Sequence, residues 1–257
     1  MNSTSIIINK THLQNIFGAS SANYDKYPEI WLKNIEDFLP SLNKIIKIKT
    51  DIYHNSDINN IDNTILKSLF NKYGSDKSEN YAVIYTKLLE KYKNLEIRLL
   101  EIGLGTNNPL LISTMGNNGV YKCGSSLRAF RDYLQNAHIF GADIDKECLF
   151  TEEKINTTFV DQLDMDTFTD LHKTFGNKKY DFIIDDGLHS ITANLNTLLF
   201  AINHINDNGT IVIEDIDIKK IEGYYVIDNI IKNNYINLKT QFITYNNKKG
   251  FIYVLFS

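Results

Sequence analysis

Two cysteines, Cys123 and Cys148, are all that 257 residues contain, and they form neither a CxxC pair nor a zinc-ligand spacing. That excludes a disulfide-stapled mini-scaffold and a zinc ribbon, and it points to a reducing compartment. No apolar run approaches the ~18 residues of a membrane span. The opening stretch MNSTSIIINK holds only three consecutive apolar residues, too few for a signal-peptide core. A cytoplasmic protein is therefore expected. A basic surplus is missing too: 27 Lys plus Arg stand against 31 Asp plus Glu, for a formal net charge of −4. General nucleic-acid binding needs clustered Lys and Arg to neutralise phosphates, so nucleic acid is not an expected partner. Repeats and low-complexity linkers are also lacking. What remains, 43% hydrophobic and 23% charged residues, matches an ordinary globular chain.

The chain divides by pattern. Ile30, Trp31, Ile35, Phe38 and Leu39 suggest an amphipathic helix ending near Pro40. In NIDNTILKSLFNKYG, Ile61, Ile65, Leu66, Leu69 and Phe70 keep helical spacing, and Gly74 sits where a C-terminal cap belongs. Residues 1–72 therefore read as a helical N-terminal extension, a lid or a dimer element, which leaves a homo-oligomer open. From residue 73 to 257 short apolar runs alternate with helical ones. IRLLEIG (97–103), HIFGADI (138–144), TTFV (157–160), DFIID (181–185) and TIVIED (210–215) read as parallel strands buried on both faces. SLRAFRDYL, NLNTLLFAINHI and a stretch near 223–234 read as helices. LKTQFITY (238–245) and GFIYVLF (250–256), joined by a tight polar turn, should close the sheet edge as an antiparallel hairpin. The expected fold is a doubly wound, mostly parallel, seven-stranded α/β sheet with ligands at the carboxyl ends of its strands.

LLEIGLGTNN places Glu101, Gly103 and Gly105 at the end of the first strand, where glycines let backbone approach a ligand. The third glycine of a dinucleotide GxGxxG is missing. The acidic residue before the first glycine suits instead a cofactor with a cationic end and no pyrophosphate. Asp143, ending the second strand, is placed to take both ribose hydroxyls. Asp161 and Gln162, after the third, are candidates for an adenine edge.

ExGxG, the acid after strand two, DQ after strand three and the edge hairpin together resemble the class I S-adenosylmethionine-dependent methyltransferases. YGSDKSENY (73–81), GSSLRAFRDYLQNAHIFGADID (124–145), DDGLH (185–189) and IEDI (213–216) narrow the resemblance. They are similar to metal-dependent sugar O-methyltransferases of macrolide biosynthesis and to methyltransferases of bacterial capsule gene clusters, some tied to O-methyl phosphoramidate decoration. The resemblance spans roughly residues 72–216. It implies S-adenosylmethionine as cofactor, with Ser75, Asp76 and Lys77 of the Ser-Asp-Lys motif, Ser126 and Asp185 on the cofactor side. Two departures stand out: Leu188 occupies a usually small position, and a long insertion, 106–124, follows the glycines. The implied acceptor is a small molecule, sugar, nucleotide-linked or phosphoramidate.

Methyl transfer to a sugar hydroxyl needs an aligned acceptor oxygen and removal of its proton. Sugar hydroxyls are weak acids, so a divalent cation, Mg²⁺ or Mn²⁺ with hard oxygen ligands, is expected to assist. Asp185-Asp186 ends the fourth strand and Glu214-Asp215 the fifth, so Asp186 and Asp215 should meet at the sheet's carboxyl edge. By the resemblance these two match metal ligands and His189 the general base, with Glu214 a third candidate ligand. A strand-end aspartate is also an ordinary helix cap. A Rossmann-type NAD-dependent oxidoreductase and a non-catalytic S-adenosylmethionine-binding subunit are the competing functions.

Overall fold

The computed structural model describes residues 52–53, 61–108, 111, 122–235, 237–245 and 250–257. The expected helix around Trp31, the hairpin turn 246–249 and most of the 106–124 insertion lie outside the described residues.

All seven expected strands are present: β2 (Arg98–Ile102), β3 (His138–Asp143), β5 (Ile155–Phe159), β6 (Tyr180–Asp185), β7 (Ile205–Asp217), β8 (Lys239–Tyr245) and β9 (Gly250–Phe256). Two-residue strands β1 (Ile52–Tyr53) and β4 (Thr151–Glu152) extend the two edges, giving nine in the order β1-β8-β9-β7-β6-β2-β3-β5-β4. Strands β3, β5, β6 and β7 run parallel to the central β2, and β9 lies antiparallel between β7 and β8. The near-continuous apolar runs work as read, because each strand feeds both faces. Leu99, Phe182 and Val212 belong to one core, Leu100, Ile183 and Ile211 to the other.

Helices cover both faces. On one lie α5 (Met165–Thr174), α6 (Ile191–His204) and α7 (Ile221–Asn234). On the other lie α1 (Thr64–Tyr73), α3 (Ala82–Leu89) and α4 (Ser125–Tyr133), with the single-turn α2 (Lys77–Asn80) between α1 and α3. Helix α1 ends as its sequence indicates, with Gly74 at φ +73° and its N–H returned to the last turn. Leu66 and Phe70 of α1 are fully buried in the sheet's own core, so the division expected at 72/73 runs through a helix that packs with the sheet.

The cysteines differ from expectation. Though 25 residues apart and without a diagnostic spacing, Cys123 and Cys148 come to a Cα separation of 5.4 Å, within reach of a disulfide. Sequence spacing could not reveal this, because the start of α4 and the turn after β3 meet only through the crossover.

Candidate active site

The strand order reverses at β2, which passes to β3 on one side and is paired with β6 on the other, and a cleft opens over the carboxyl ends there. Its walls bring together Ser75, Asp76, Lys77, Gly103, Gly105 and Ser126. Asp143, Asp161, Gln162, Asp186, His189 and Asp215 complete them. Glu101, Asp185 and Glu214 lie beneath the floor, at 0%, 0% and 1% exposure.

On the cofactor side, Asp143 accepts from Leu104 N–H at 2.6 Å through Oδ2 and from Asp145 N–H at 2.8 Å through Oδ1. Each oxygen keeps a lone pair for a ribose hydroxyl. Asp161 uses Oδ1 to cap its own turn, taking Leu163 N–H at 2.9 Å. Gly103, at φ +95°, is needed for a different reason than a ligand's approach. A Cβ there would sit 2.0 Å from the carbonyl oxygen of Asp186, so the glycine makes room for the DDGLH turn.

Gln162 also ties the site's loops together. Its Nε2 donates to Asp185 Oδ1 (2.8 Å) and Thr197 Oγ1 (2.9 Å), and its Oε1 accepts from Leu188 N–H (2.7 Å). The carboxamide thereby braces the DDGLH turn while Gln162 still lines the cleft. Asp185 faces inward, holding Gln162 and Asn194 Nδ2 (2.8 Å), and so supports the turn. Ser190 caps α6 by accepting from Ala193 N–H, and Lys220 Nζ donates to the carbonyl of His189 at 2.9 Å. His189 itself takes φ +52°, an unusual conformation for a side chain of its size.

The acids sort into two groups. In the inner one, Lys77 Nζ lies 2.5 Å from Asp186, 2.7 Å from Glu214 and 3.6 Å from Glu101. Its charge is taken up by carboxylates, while Lys77 itself lines the cleft. Glu101 also accepts from Ser126 Oγ at 2.5 Å, and Glu214 accepts from Tyr85. Burial pushes the Glu101 carboxyl up to about 7, against the pull of Lys77. Burial raises Glu214 well above the carboxylate range as well, with Asp186 and Asp215 adding repulsion.

The outer group is Asp186, His189 and Asp215, each half-buried and facing the cleft. His189 Nε2 stands 3.8 Å from Asp186 Oδ1 and 3.6 Å from Asp215 Oδ2, while its Nδ1 is buried without a partner. Burial alone would raise Asp215, but hydrogen bonds from Tyr245 and Tyr81 outweigh it and hold the carboxyl below its ordinary range. The β7 pairing is irregular between Ile213 and Ile216, and Asp215 takes φ +53° there.

A hard divalent cation fits this donor set. Carboxylate oxygens of Asp186 and Asp215 lie within 4.8 Å of each other, with a ring nitrogen of His189 within the same distance of both. Glu101, Asp186 and Glu214 are equally close, but the Lys77 ammonium already occupies their midst. Glu214 is thus a weaker ligand candidate than its neighbour. Tyr81, Tyr85, Tyr245 and Lys220 were not expected at the site. Tyr81 closes the YGSDKSENY motif, but nothing in the sequence marks the other three.

The fold is shared with a known methyltransferase structure. MycE methyltransferase of mycinamycin biosynthesis, solved with magnesium and S-adenosylhomocysteine, superposes with a TM-score of 0.57 at 18% identity, over 95% of this chain and 69% of MycE. The fold is that of a class I methyltransferase. Demethylmacrocin O-methyltransferase of Streptomyces fradiae is 32% identical over 133 residues, 51% of this chain and 30% of that protein. Mycinamicin VI 2''-O-methyltransferase of Micromonospora griseorubida is 31% identical over 132 residues, with the same coverage. The match therefore takes in about a third of each curated relative's length. No family model matches the chain. Among the described residues no helix is long and apolar enough to cross a membrane.

Proposed function

We propose that this chain is an S-adenosylmethionine-dependent O-methyltransferase that uses a divalent cation, Mg²⁺ or Mn²⁺, to methylate a sugar hydroxyl. The observation that carries the reading is one cleft shared by two sets of groups. Asp143 and the glycine turn line it together with Asp186, His189 and Asp215. The sequence relatives, both named as O-methyltransferases, support the same class.

S-adenosylmethionine, when bound, supplies an electrophilic methyl group, and the cation, when bound, lowers the pKa of a hydroxyl it contacts. The chain's residues do the rest. Asp143 holds the ribose. Asp186, just after β6, and Asp215, in neighbouring β7, would hold the cation, which would orient the acceptor hydroxyl. His189 Nε2, between the two carboxylates, takes the hydroxyl proton, with its backbone fixed by Lys220. A natural-product or surface-polysaccharide sugar is the acceptor class, and nucleotide-linked and phosphoramidate acceptors are the variants to include in a screen. An NAD-dependent oxidoreductase is disfavoured, because Asn108 stands where the third glycine of GxGxxG would be. A merely cofactor-binding subunit would have no use for the outer acid–imidazole group.

The test is transfer of labelled methyl from S-adenosylmethionine to a panel of sugars. A chelator should abolish turnover while S-adenosylhomocysteine still binds, and Mg²⁺ or Mn²⁺ should restore it. Full turnover in chelator would remove the cation from the mechanism.

A further inference from the structure

Asp215 is the least constrained acid of the outer group by backbone and the most constrained by side chains. Its residue sits at φ +53° in an interrupted stretch of β7 pairing, so no regular strand geometry fixes its direction. One carboxylate oxygen, Oδ1, accepts two phenolic hydroxyls: Tyr245 donates at 2.6 Å, and Tyr81 donates to the same atom. The other, Oδ2, is the atom facing His189 Nε2 at 3.6 Å. The two tyrosines come from unrelated elements, Tyr81 from the residue before α3 and Tyr245 from the last residue of β8. Their rings lie 5.0 Å apart at 48°.

We infer that Tyr81 and Tyr245 are positioning residues that clamp Asp215 by one oxygen so that the other is presented to the divalent cation. This rests on the cation-assisted reading above. The physical case is pre-organisation. Asp186 and Asp215 repel each other until a cation arrives, and a free aspartate would rotate to relieve that repulsion. Two hydroxyl donors on one oxygen remove the rotation before binding, as hydrogen-bonded outer partners do for ligating carboxylates elsewhere. Neither hydroxyl is directed at the acceptor, because both are used on the same oxygen. Packing and positioning separate cleanly here, since phenylalanine keeps each ring and removes only the donor.

The experiment is Mn²⁺ titration followed by electron paramagnetic resonance, on the full chain with S-adenosylhomocysteine bound. Wild type should take up Mn²⁺. Tyr245→Phe should weaken Mn²⁺ binding about tenfold, and Tyr81→Phe/Tyr245→Phe by ~10–100-fold, with S-adenosylhomocysteine affinity within about twofold of wild type. The retained cofactor-product affinity reports that the fold is intact. Should the double variant fail to fold, half-buried Tyr245→Phe alone decides. Mn²⁺ affinity unchanged in the folded variants, with wild type binding normally, would overturn the clamp and leave the cation-assisted reading standing. No Mn²⁺ uptake by wild type would overturn both.

Discussion

One ammonium among four carboxylates sets the charge state of the site. Lys77 can neutralise only part of Glu101, Asp186 and Glu214, and Asp215 adds a further acid nearby. Glu101 carries a measurable consequence. Burial lifts it from its ordinary 4.5 to about 7, so it holds its proton more tightly folded than unfolded. Its contribution to stability is then fully present below about 4.5 and lost as pH rises through about 7. Glu101→Gln should flatten the fall in melting temperature over that window, and an unchanged slope would show that the carboxyl is not raised. His189→Ala should keep S-adenosylhomocysteine affinity yet lose roughly 10²–10⁴-fold in turnover, the usual worth of a general base. Part of that loss should return at high pH as the acceptor ionises unaided. A wild-type rate would remove the base assignment.

At the scale of elements, the DDGLH turn is an assembled object. Asp186 N–H is taken by Ile102 of β2, Gly187 N–H by Asp185, and Leu188 N–H by Gln162. Gly187 exists because Gln162 comes so near: a Cβ would lie 2.1 Å from Gln162 Oε1. Gly187→Ala should therefore shift the turn and lower turnover about a hundredfold, the cost of a misplacement near 1 Å. Thermal melting should still be cooperative. Wild-type turnover would mean that Gln162 yields without disturbing His189. The sequence made the strands legible because parallel strands buried on both faces leave continuous apolar runs. It did not disclose α2 and α3. SDKSENY after the capping glycine reads as a loop, and in AVIYTKLL five of eight residues are buried, which blurs the helical period. The two-residue edge strands carry no periodicity at all.

For the whole molecule, what was legible of the site was its address. Residues at strand ends could be placed on one edge from topology alone, and Asp143, Asp186, His189 and Asp215 do meet in one cleft. What was hidden was direction. Whether Gln162, Asp185 and Glu214 face cleft or floor depends on side-chain partners contributed by α3, α6 and the 185–189 turn itself. Partners so distant in sequence leave no local trace. On the proposed function, the cleft over β2, β3 and β6 is built for S-adenosylmethionine. Calorimetric titration of the full chain with S-adenosylhomocysteine and, separately, with NAD⁺ tests it most directly. S-adenosylhomocysteine should bind at one site and weaken at least tenfold in Asp143→Ala, while NAD⁺ gives no heat. Binding of NAD⁺ as tight as that of S-adenosylhomocysteine, or none of S-adenosylhomocysteine, would contradict it.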